Sequence, residues 1–224
     1  MNKKELLINA TVKYLLGVVL VGLLVFLPAG TLHFRNGWIF MGVLFIPMFL
    51  AGIVMWVKDP KLLERRLNAK EKESQQKDVI RYSGLMFMAA FILAGLNYRF
   101  GWIVLPDIVI IISVIVFLLA YLLFAEVLRE NSYLSRTIRV EEGQKVIDTG
   151  LYGIVRHPMY AATVFLFLSM PLVLGSLISF LVMCLYIPII QKRMVNEEEV
   201  LKRELPGYEE YLKKVKYRVF PPIW

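Results

Sequence analysis

The chain has 224 residues, of which 58% are hydrophobic and 20% are charged, and its net charge is +8. Soluble domains are about 45–50% apolar, and several runs of about 20 residues with at most one charge are long enough to cross a bilayer as helices, so an ordinary soluble enzyme is excluded. One cysteine and the absence of low-complexity tracts also exclude a disulfide-stabilised secreted module, a collagen and a disordered chain.

Six apolar segments predict an all-α, polytopic transmembrane protein with about six membrane-crossing helices. The predicted helices cover residues 11–27, 38–57, 82–98, 104–128, 159–174 and 177–191. The last two are short, so they are predicted to form a tilted hairpin. The first helix follows Lys3 and Lys4, as in a signal peptide, but no cleavage pattern follows Leu27, so it is predicted to be retained.

The distribution of basic residues predicts how the chain is oriented. If the N terminus is cytoplasmic, all but two of the 26 Lys and Arg residues lie on the cytoplasmic side, and the exceptions are Arg35 and Arg99. This distribution predicts a multi-pass protein of the cell membrane with both termini in the cytoplasm. It also accounts for the net positive charge, so nucleic acid is not a predicted partner.

The cytoplasmic loop of residues 58–78 mixes charges of both signs. It is predicted to be a solvated amphipathic connector near anionic lipid headgroups, without catalytic residues. His33 and His157 fall on opposite sides of the membrane in this topology, and with Cys184 as the one cysteine they form no zinc-type ligand set. The sequence also lacks the glycine motifs that bind phosphate, so ATP-driven and Rossmann-type activities are unsupported.

The segment of residues 131–160 reads NSYLSRTIRVEEGQKVIDTGLYGIVRHPMY and is the most informative part of the chain. Brief alternation over residues 137–141 predicts a short extended stretch. Four side chains that could bind a ligand or take part in a reaction then follow within nine residues: Tyr152, Arg156, His157 and Tyr160. Pro158 suits the first turn of the next helix, so His157 is predicted to be its N-cap, with the first N–H groups free to bind an anion. An ordinary interfacial histidine would fit the same pattern.

A second group of polar residues begins where the last apolar segment ends. Arg193 and Glu197 are four residues apart and therefore share a helical face, whereas Glu198 is rotated by about 100 degrees from Glu197. Spacing alone is equally typical of a solvated helix, because such an Arg–Glu pair contributes only a few tenths of a kcal/mol. Tyr208 and Tyr211 fit the enrichment of tyrosine at membrane interfaces.

The two segments GLYGIVRHPMY and RMVNEEEVL together resemble the isoprenylcysteine carboxyl methyltransferase family of integral-membrane methyltransferases. The resemblance begins at Asn131, and it rests on the combination of the two motifs, because the first four spans match only as generic apolar helices. It implies a single membrane methyltransferase domain over residues 1–224. In this domain, residues 1–130 form the N-terminal transmembrane helices, and residues 131–224 form a cofactor-binding loop, the hairpin and a cytoplasmic extension.

The resemblance also implies the chemistry and its residues. It implies methyl transfer from S-adenosyl-L-methionine, bound in a cytoplasmic pocket, to a lipophilic or lipidated acceptor that enters from the membrane lipid. The implied cofactor-binding residues are Gln144, Lys145, Val146, Ile147, Tyr152, His157, Pro158, Met159, Tyr160 and Glu197. Arg193 corresponds to the arginine that orients the substrate. Glu198 corresponds to the second carboxylate of the pair that it forms with Glu197, so Arg193 and Glu198 are both predicted to be catalytic. No metal is implied.

Three functions remain open on the sequence. The first is O-methylation of a carboxylate on a lipidated or amphiphilic acceptor, the second is N-methylation of a phospholipid or small lipophilic amine, and the third is a non-catalytic membrane protein with the same fold. The sequence departs from the family at Ala161 and Ala162, where a glycine is frequent, and at LPGYEEY in place of FGEEY. A carboxylate is already ionised near neutral pH, whereas an amine must first lose a proton. No dedicated base is evident, which favours the carboxylate.

Overall fold

The computed structural model describes residues 2–67, 74–134 and 140–222, and the ordered elements within these ranges are all helical. They are α1 (Lys3–Ala29), α2 (Arg35–Lys58), α3 (Pro60–Leu67), α4 (Ser74–Phe100), α5 (Asp107–Glu130), a 3₁₀ turn (Gly150–Gly153), α6 (Pro158–Val173), α7 (Leu177–Met183), α8 (Tyr186–Glu204) and α9 (Tyr208–Lys214). The predicted extended stretch at residues 137–141 lies largely outside the described residues.

Five helical segments are long and apolar enough to cross a bilayer. They are α1, α2, the part of α4 from Asp78 onward, α5, and α7 together with α8. Helix α6 is apolar as well, but it has only 16 residues. The chain is therefore a polytopic helical membrane protein, as predicted, and each of the six predicted segments coincides with helix, the fifth being shorter than a full span.

The last predicted span is divided into α7 and α8. Pro188 has no N–H to donate to the carbonyl of Cys184 four residues earlier. The N–H of Ile187 donates to that carbonyl instead, at 3.1 Å, so the turn is tightened and the helix restarts at Tyr186. Helix α8 then continues well beyond the predicted end at residue 191, and its last turns leave the apolar part of the bundle.

Helices α1 and α4 cross at Gly95, where the two backbones nearly touch. A Cβ atom at Gly95 would lie 2.5 Å from the carbonyl oxygen of Val25 and 3.0 Å from the backbone nitrogen of Ala29. Small residues allow this close approach between membrane helices, where packing replaces the hydrophobic effect as the driving force. Beside the crossing, Phe40 and Phe117 are completely buried in the main apolar core.

The two ends of the bundle differ in their polar contacts. At one end, the buried Asn97 side chain donates to the carbonyl oxygens of Ile103 at 2.9 Å and Gly175 at 3.3 Å, which joins two short turns. The other end contains α3, the segment 140–157, the end of α8, and α9. There Lys13 Nζ donates to the carbonyl oxygen of Leu67 at 2.7 Å. Most of the charged side chains of the described residues lie at this second end.

Helix α3 occupies part of the loop that was predicted to be a solvated connector. Its sequence is amphipathic, and Leu62 and Leu63 are buried while Lys61 and Glu64 face outward. The carboxylate of Asp59 accepts the N–H of Leu62 at 3.0 Å, which caps the first turn. Residues 68–73 of the same loop lie outside the described part of the chain.

Candidate functional site

A cavity lies at the charged end of the bundle, between the end of α5, the segment that precedes α6, and the helices α8 and α9. It encloses about 850 Å³ of empty space, part of which is open to solvent. Its walls are formed by Asn131, Tyr133, Leu134, Gln144, Lys145, Val146, Ile147, Tyr152, Arg156, His157, Met159, Tyr160, Arg193, Glu197, Leu201, Leu205, Tyr208 and Tyr211.

Most of the predicted site residues lie in the wall of this one cavity. They are Gln144, Lys145, Val146, Ile147, Tyr152, His157, Met159, Tyr160, Arg193 and Glu197. Pro158 is fully buried as the first residue of α6, and Glu198 lies on another face of α8, so neither is part of the cavity wall. The structure thus brings together residues that are up to 53 positions apart in the sequence, from Gln144 to Glu197. Their predicted roles stay predictions.

The start of α6 has the predicted arrangement, with one exception. His157 is the N-cap and Pro158 is the first helical residue. The N–H groups of Tyr160 and Ala161, however, already donate to the carbonyl oxygen of His157, at 3.0 and 3.3 Å. The prediction that the first N–H groups are free for an anion is therefore wrong for Tyr160, because the first turn closes on the cap residue.

Tyr160 connects the two helices that face each other across the cavity. Its buried hydroxyl donates to Glu197 Oε2 and accepts from Arg193 Nε at 3.0 Å. Arg193 and Glu197 lie one turn apart on α8, so the predicted shared face is confirmed. This arrangement places a carboxylate, a guanidinium and a phenol hydroxyl side by side in the wall.

Glu198 lies behind the cavity, in a network of basic groups. Its side chain is 5% exposed. One carboxylate oxygen lies 2.9 Å from Arg156 Nε and 3.2 Å from His157 Nε2, and the other accepts from Arg218 Nη2 at 3.0 Å. The predicted pairing of Glu197 and Glu198 in one site is therefore not present, because consecutive residues of a helix point about 100 degrees apart.

The network around Glu198 also holds the C-terminal segment against the start of α6. The backbone N–H groups of Arg156 and His157 donate to the carbonyl oxygens of Tyr217 and Arg218, at 3.0 and 2.8 Å. Arg156 Nη1 adds bonds to two further carbonyl oxygens of this segment. His157 therefore belongs to both regions: it lines the cavity, and its Nε2 is directed to the carboxylate behind it.

Several cavity residues were not predicted as site residues. They are Asn131, Tyr133, Leu134, Arg156, Leu201, Leu205, Tyr208 and Tyr211. The amide of Asn131 donates to Tyr152 Oη at 3.1 Å, and Tyr211 Oη donates to the carbonyl oxygen of Tyr152 at 2.7 Å. Tyr208 is 4% exposed, and its hydroxyl has no hydrogen-bond partner among the described residues.

Burial sets the protonation state of the phenols that lie outside the membrane spans. It raises the pKa of Tyr152, Tyr208 and Tyr211 well above the ordinary value for tyrosine. All three hydroxyl groups are therefore neutral at physiological pH. Tyr211 already donates its proton to the carbonyl oxygen of Tyr152, whereas Tyr152 and Tyr208 are able to donate to a ligand. In the described part of the chain, no three His, Cys, Asp or Glu side chains come together as metal ligands would.

Part of the chain matches a known protein family. Residues 109–203 match the model of the Isoprenylcysteine carboxyl methyltransferase (ICMT) family. The family resemblance predicted from the sequence motifs is thereby confirmed for this segment. The ICMT-matched segment begins in α5, earlier than the motifs themselves, and it ends in α8. It contains the cavity wall from Asn131 to Leu201, while Leu205, Tyr208 and Tyr211 lie beyond it.

A curated relative matches part of the chain as well. The Delta(14)-sterol reductase TM7SF2 of Mus musculus is 28% identical over 91 residues. These residues are 39% of this chain and 22% of the reductase, so the chain spans about a fifth of the length of that relative.

Proposed function

We propose that this protein is an S-adenosylmethionine-dependent methyltransferase that O-methylates a carboxylate on a lipophilic or lipidated acceptor. The observation that carries the proposal is the cavity itself, because most of its wall belongs to the ICMT-matched segment. Among the described residues it combines one carboxylate, two guanidinium groups, one lysine and several tyrosines at the charged end of a membrane bundle. Such a position gives access both to a water-soluble cofactor and to a molecule dissolved in the bilayer.

The residues present fit S-adenosylmethionine. A sulfonium cation is stabilised by a carboxylate and by aromatic faces, which Glu197, Tyr152 and Tyr160 supply in the cavity wall. The unpaired hydroxyl of Tyr208 needs a partner that the described residues do not provide, and a polar ligand in the cavity would provide it. When bound, the cofactor supplies an electrophilic methyl group.

The chain's own residues then have three tasks: to bind, to align and to exclude water. Arg193 holds the carboxylate of the acceptor through its planar guanidinium, and Tyr160 fixes the Arg193 side chain by the bond to Nε. The acceptor needs no general base, since a carboxylate is already ionised near neutral pH. Methyl displacement is in line, so the reaction depends mainly on the position of the acceptor oxygen and on a dry site.

Cofactor binding and acceptor identity are tested together on the protein in nanodiscs. Calorimetry with S-adenosylmethionine separates the two methyltransferase functions from a non-catalytic protein. Labelling with methyl-tritiated cofactor, followed by chromatography of extracted lipids and proteins, identifies the acceptor: label in a base-labile ester supports O-methylation, and label in a phospholipid amine supports the N-methyltransferase. Absence of cofactor binding would overturn both.

The role of Arg193 is tested by two substitutions. Arg193→Lys keeps the charge but loses the planar fork and is expected to reduce single-turnover rate. Arg193→Met is expected to reduce it much further while the dissociation constant of the cofactor changes by no more than about threefold, since the lost bond is to the acceptor. A variant Arg193→Met that methylates at the wild-type rate would favour a neutral or amine acceptor.

Sterol reduction is the second candidate, and it rests on the partial identity with the mouse reductase. A reductase requires a hydride donor such as a nicotinamide cofactor. Titration of NADPH against the same nanodisc sample tests it directly. Binding of NADPH without binding of S-adenosylmethionine would support sterol reduction, and not methyl transfer, as the function of the cavity.

We further propose that the charged end, with the cavity and both termini, faces the cytoplasm. The distribution of basic residues supports this orientation. In a variant without Cys184, single cysteines at Gly143 and Pro206 are expected to react with membrane-impermeant reagents from the same, cytoplasmic side. Labelling of the two positions from opposite sides would contradict the topology.

A further inference from the structure

Helix α3 lies outside the ICMT-matched segment and outside the cavity wall, yet one of its residues reaches both loop segments that form part of that wall. We propose that Arg65 is a positioning residue of the site, which fixes the segments 131–134 and 140–147 and thereby sets the affinity for the cofactor. This inference rests on the proposed function only in taking S-adenosylmethionine as the ligand of the cavity.

The guanidinium of Arg65 holds the two segments at the same time. Its Nε lies 2.9 and 3.0 Å from the two carboxylate oxygens of Glu141, and its Nη2 donates to Oε2 at 2.6 Å. Its Nη1 donates to the carbonyl oxygen of Ser132 at 2.8 Å. The Arg65 and Glu141 side chains are 17% and 22% exposed, so this pair is more shielded from water than an ordinary surface ion pair.

Each residue that Arg65 contacts is next to, or hydrogen-bonded to, a residue of the cavity wall. Ser132 stands between Asn131 and Tyr133, both of which line the wall, and the guanidinium lies 5.8 Å from the ring centre of Tyr133. On the other side, the N–H of Glu141 donates to Gln144 Oε1 at 3.0 Å, and the N–H of Gln144 donates back to the carbonyl oxygen of Glu141 at 3.0 Å.

Helix α3 is a firm support for Arg65. Leu62 and Leu63 are buried against the bundle, and Lys13 of α1 donates to the carbonyl oxygen of Leu67 at the end of the helix. The neighbouring Arg66 lies 5.2 Å from the ring centre of Phe124 in α5. Through α3, the segments 131–134 and 140–147 are therefore held in a fixed position relative to α1 and α5, which are helices of the bundle.

The geometry requires arginine at this position. A guanidinium donates in several fixed directions at once and matches a carboxylate with two parallel bonds, whereas an ammonium group is a single point charge on a flexible chain. Lysine at residue 65 could keep the attraction to Glu141 but not the simultaneous bonds to Ser132 and to both carboxylate oxygens. We therefore expect a graded effect of substitution, with arginine best, lysine intermediate and methionine worst.

The proposal is tested with Arg65→Lys, Arg65→Met and the charge exchange Arg65→Glu with Glu141→Arg, all in nanodiscs. Arg129→Met is the matched control, because Arg129 forms a comparably short ion pair with Glu126 on an exposed surface. The dissociation constant of S-adenosylmethionine is expected to rise about tenfold or more in Arg65→Met and by a smaller factor in Arg65→Lys. In Arg65→Met this rise is expected to be a larger factor than any fall in the single-turnover rate at saturating cofactor. The charge exchange is expected to bind better than Arg65→Glu alone, and the control to match the wild type.

Hydrogen exchange of the ligand-free protein separates this proposal from the proposed function. Peptides that cover residues 140–147 are expected to exchange faster in Arg65→Met than in the wild type or in Arg129→Met, whether or not the wild type binds S-adenosylmethionine. Unchanged exchange in these peptides, or a wild-type dissociation constant in Arg65→Met, would overturn the positioning role. A wild type that binds no S-adenosylmethionine but shows the exchange difference would overturn the proposed function and keep the link between Arg65 and the loop.

Discussion

The two faces of α8 give the same residue type two different environments. Glu197 lies in the cavity wall and accepts from the hydroxyl of Tyr160, whereas Glu198 is surrounded by Arg156, His157 and Arg218. Both are glutamates, and they are consecutive in the sequence. Because a helix rotates by about 100 degrees per residue, one carboxylate faces the cavity and the other binds basic groups of the protein itself.

This comparison teaches that charge alone does not identify a site residue. A buried carboxylate with three basic partners has its charge compensated within the protein, so its loss is a loss of structure. A carboxylate that faces a cavity can compensate the charge of a ligand instead. The following substitutions test whether the two faces are as separate in function as they are in geometry.

The largest effect is expected from Glu198→Ala. It removes the shared acceptor of Arg156, His157 and Arg218 and leaves buried positive charge, so the free energy of unfolding is expected to fall by about 3–5 kcal/mol. Thermal and denaturant unfolding in detergent measure it. Glu199→Ala is the control, since this neighbouring glutamate is exposed. Equal stability of the two variants would show that the network contributes little and would remove the distinction between the faces.

An intermediate effect is expected from Glu197→Gln, and it concerns binding. Glutamine still accepts the hydroxyl of Tyr160 but lacks the negative charge, so stability is expected to stay near that of the wild type. The affinity for S-adenosylmethionine is expected to fall by about 1.5–3 kcal/mol, the scale of a hydrogen bond to a charged group. Calorimetry measures this change. Wild-type affinity would contradict the role of Glu197 as the partner of a cationic ligand.

The smallest effect is expected from Tyr208→Phe. Since this hydroxyl has no partner in the described part of the chain, its removal is expected to leave the ligand-free protein as stable as the wild type, while affinity for S-adenosylmethionine falls by about 0.5–1.5 kcal/mol. In Tyr211→Phe the lost bond to the carbonyl of Tyr152 is instead expected to lower the stability, by about 1 kcal/mol. Unfolding and calorimetry on both variants decide the matter. Equal destabilisation of both would mean that Tyr208 is also a structural hydroxyl.

The membrane helices could be predicted from the sequence because their signal is local. Apolar runs of about 20 residues leave few alternatives to a spanning helix. The break between α7 and α8 was not predicted, although its cause, Pro188, was visible; a proline within a membrane helix is tolerated in some settings and breaks the helix in others, depending on what satisfies the freed carbonyl. Helix α3 was not predicted either, since its burial depends on Leu62 and Leu63 meeting a surface made by distant segments.

The candidate site could likewise be predicted only where its signal in the sequence is local. The shared face of Arg193 and Glu197 follows from helical geometry, and the family resemblance supplied the residues from Gln144 to Tyr160. Tyr208 and Tyr211 were interpreted as interfacial because their place in the wall depends on the turn at Gly207, whose φ of 84° folds α9 back toward the cavity. The structural role of Glu198 depends on Arg218, which the sequence places 20 residues away without any pattern that joins them.

The close crossing at Gly95 has a consequence for the biogenesis of the protein. Helix α1 is synthesised long before the residue that fits against it, since Ala29 and Gly95 are separated by α2, α3 and part of α4. At synthesis rates of about 5–20 residues per second, the interval is about 3–13 s. During this time the Val25 side of α1 is in contact with lipid, or with whatever insertion machinery receives the chain. Helix α1 can pack against α2 early, through contacts such as that of Tyr14 with Phe45, but the side of α1 that meets Gly95 stays unpartnered until α4 arrives.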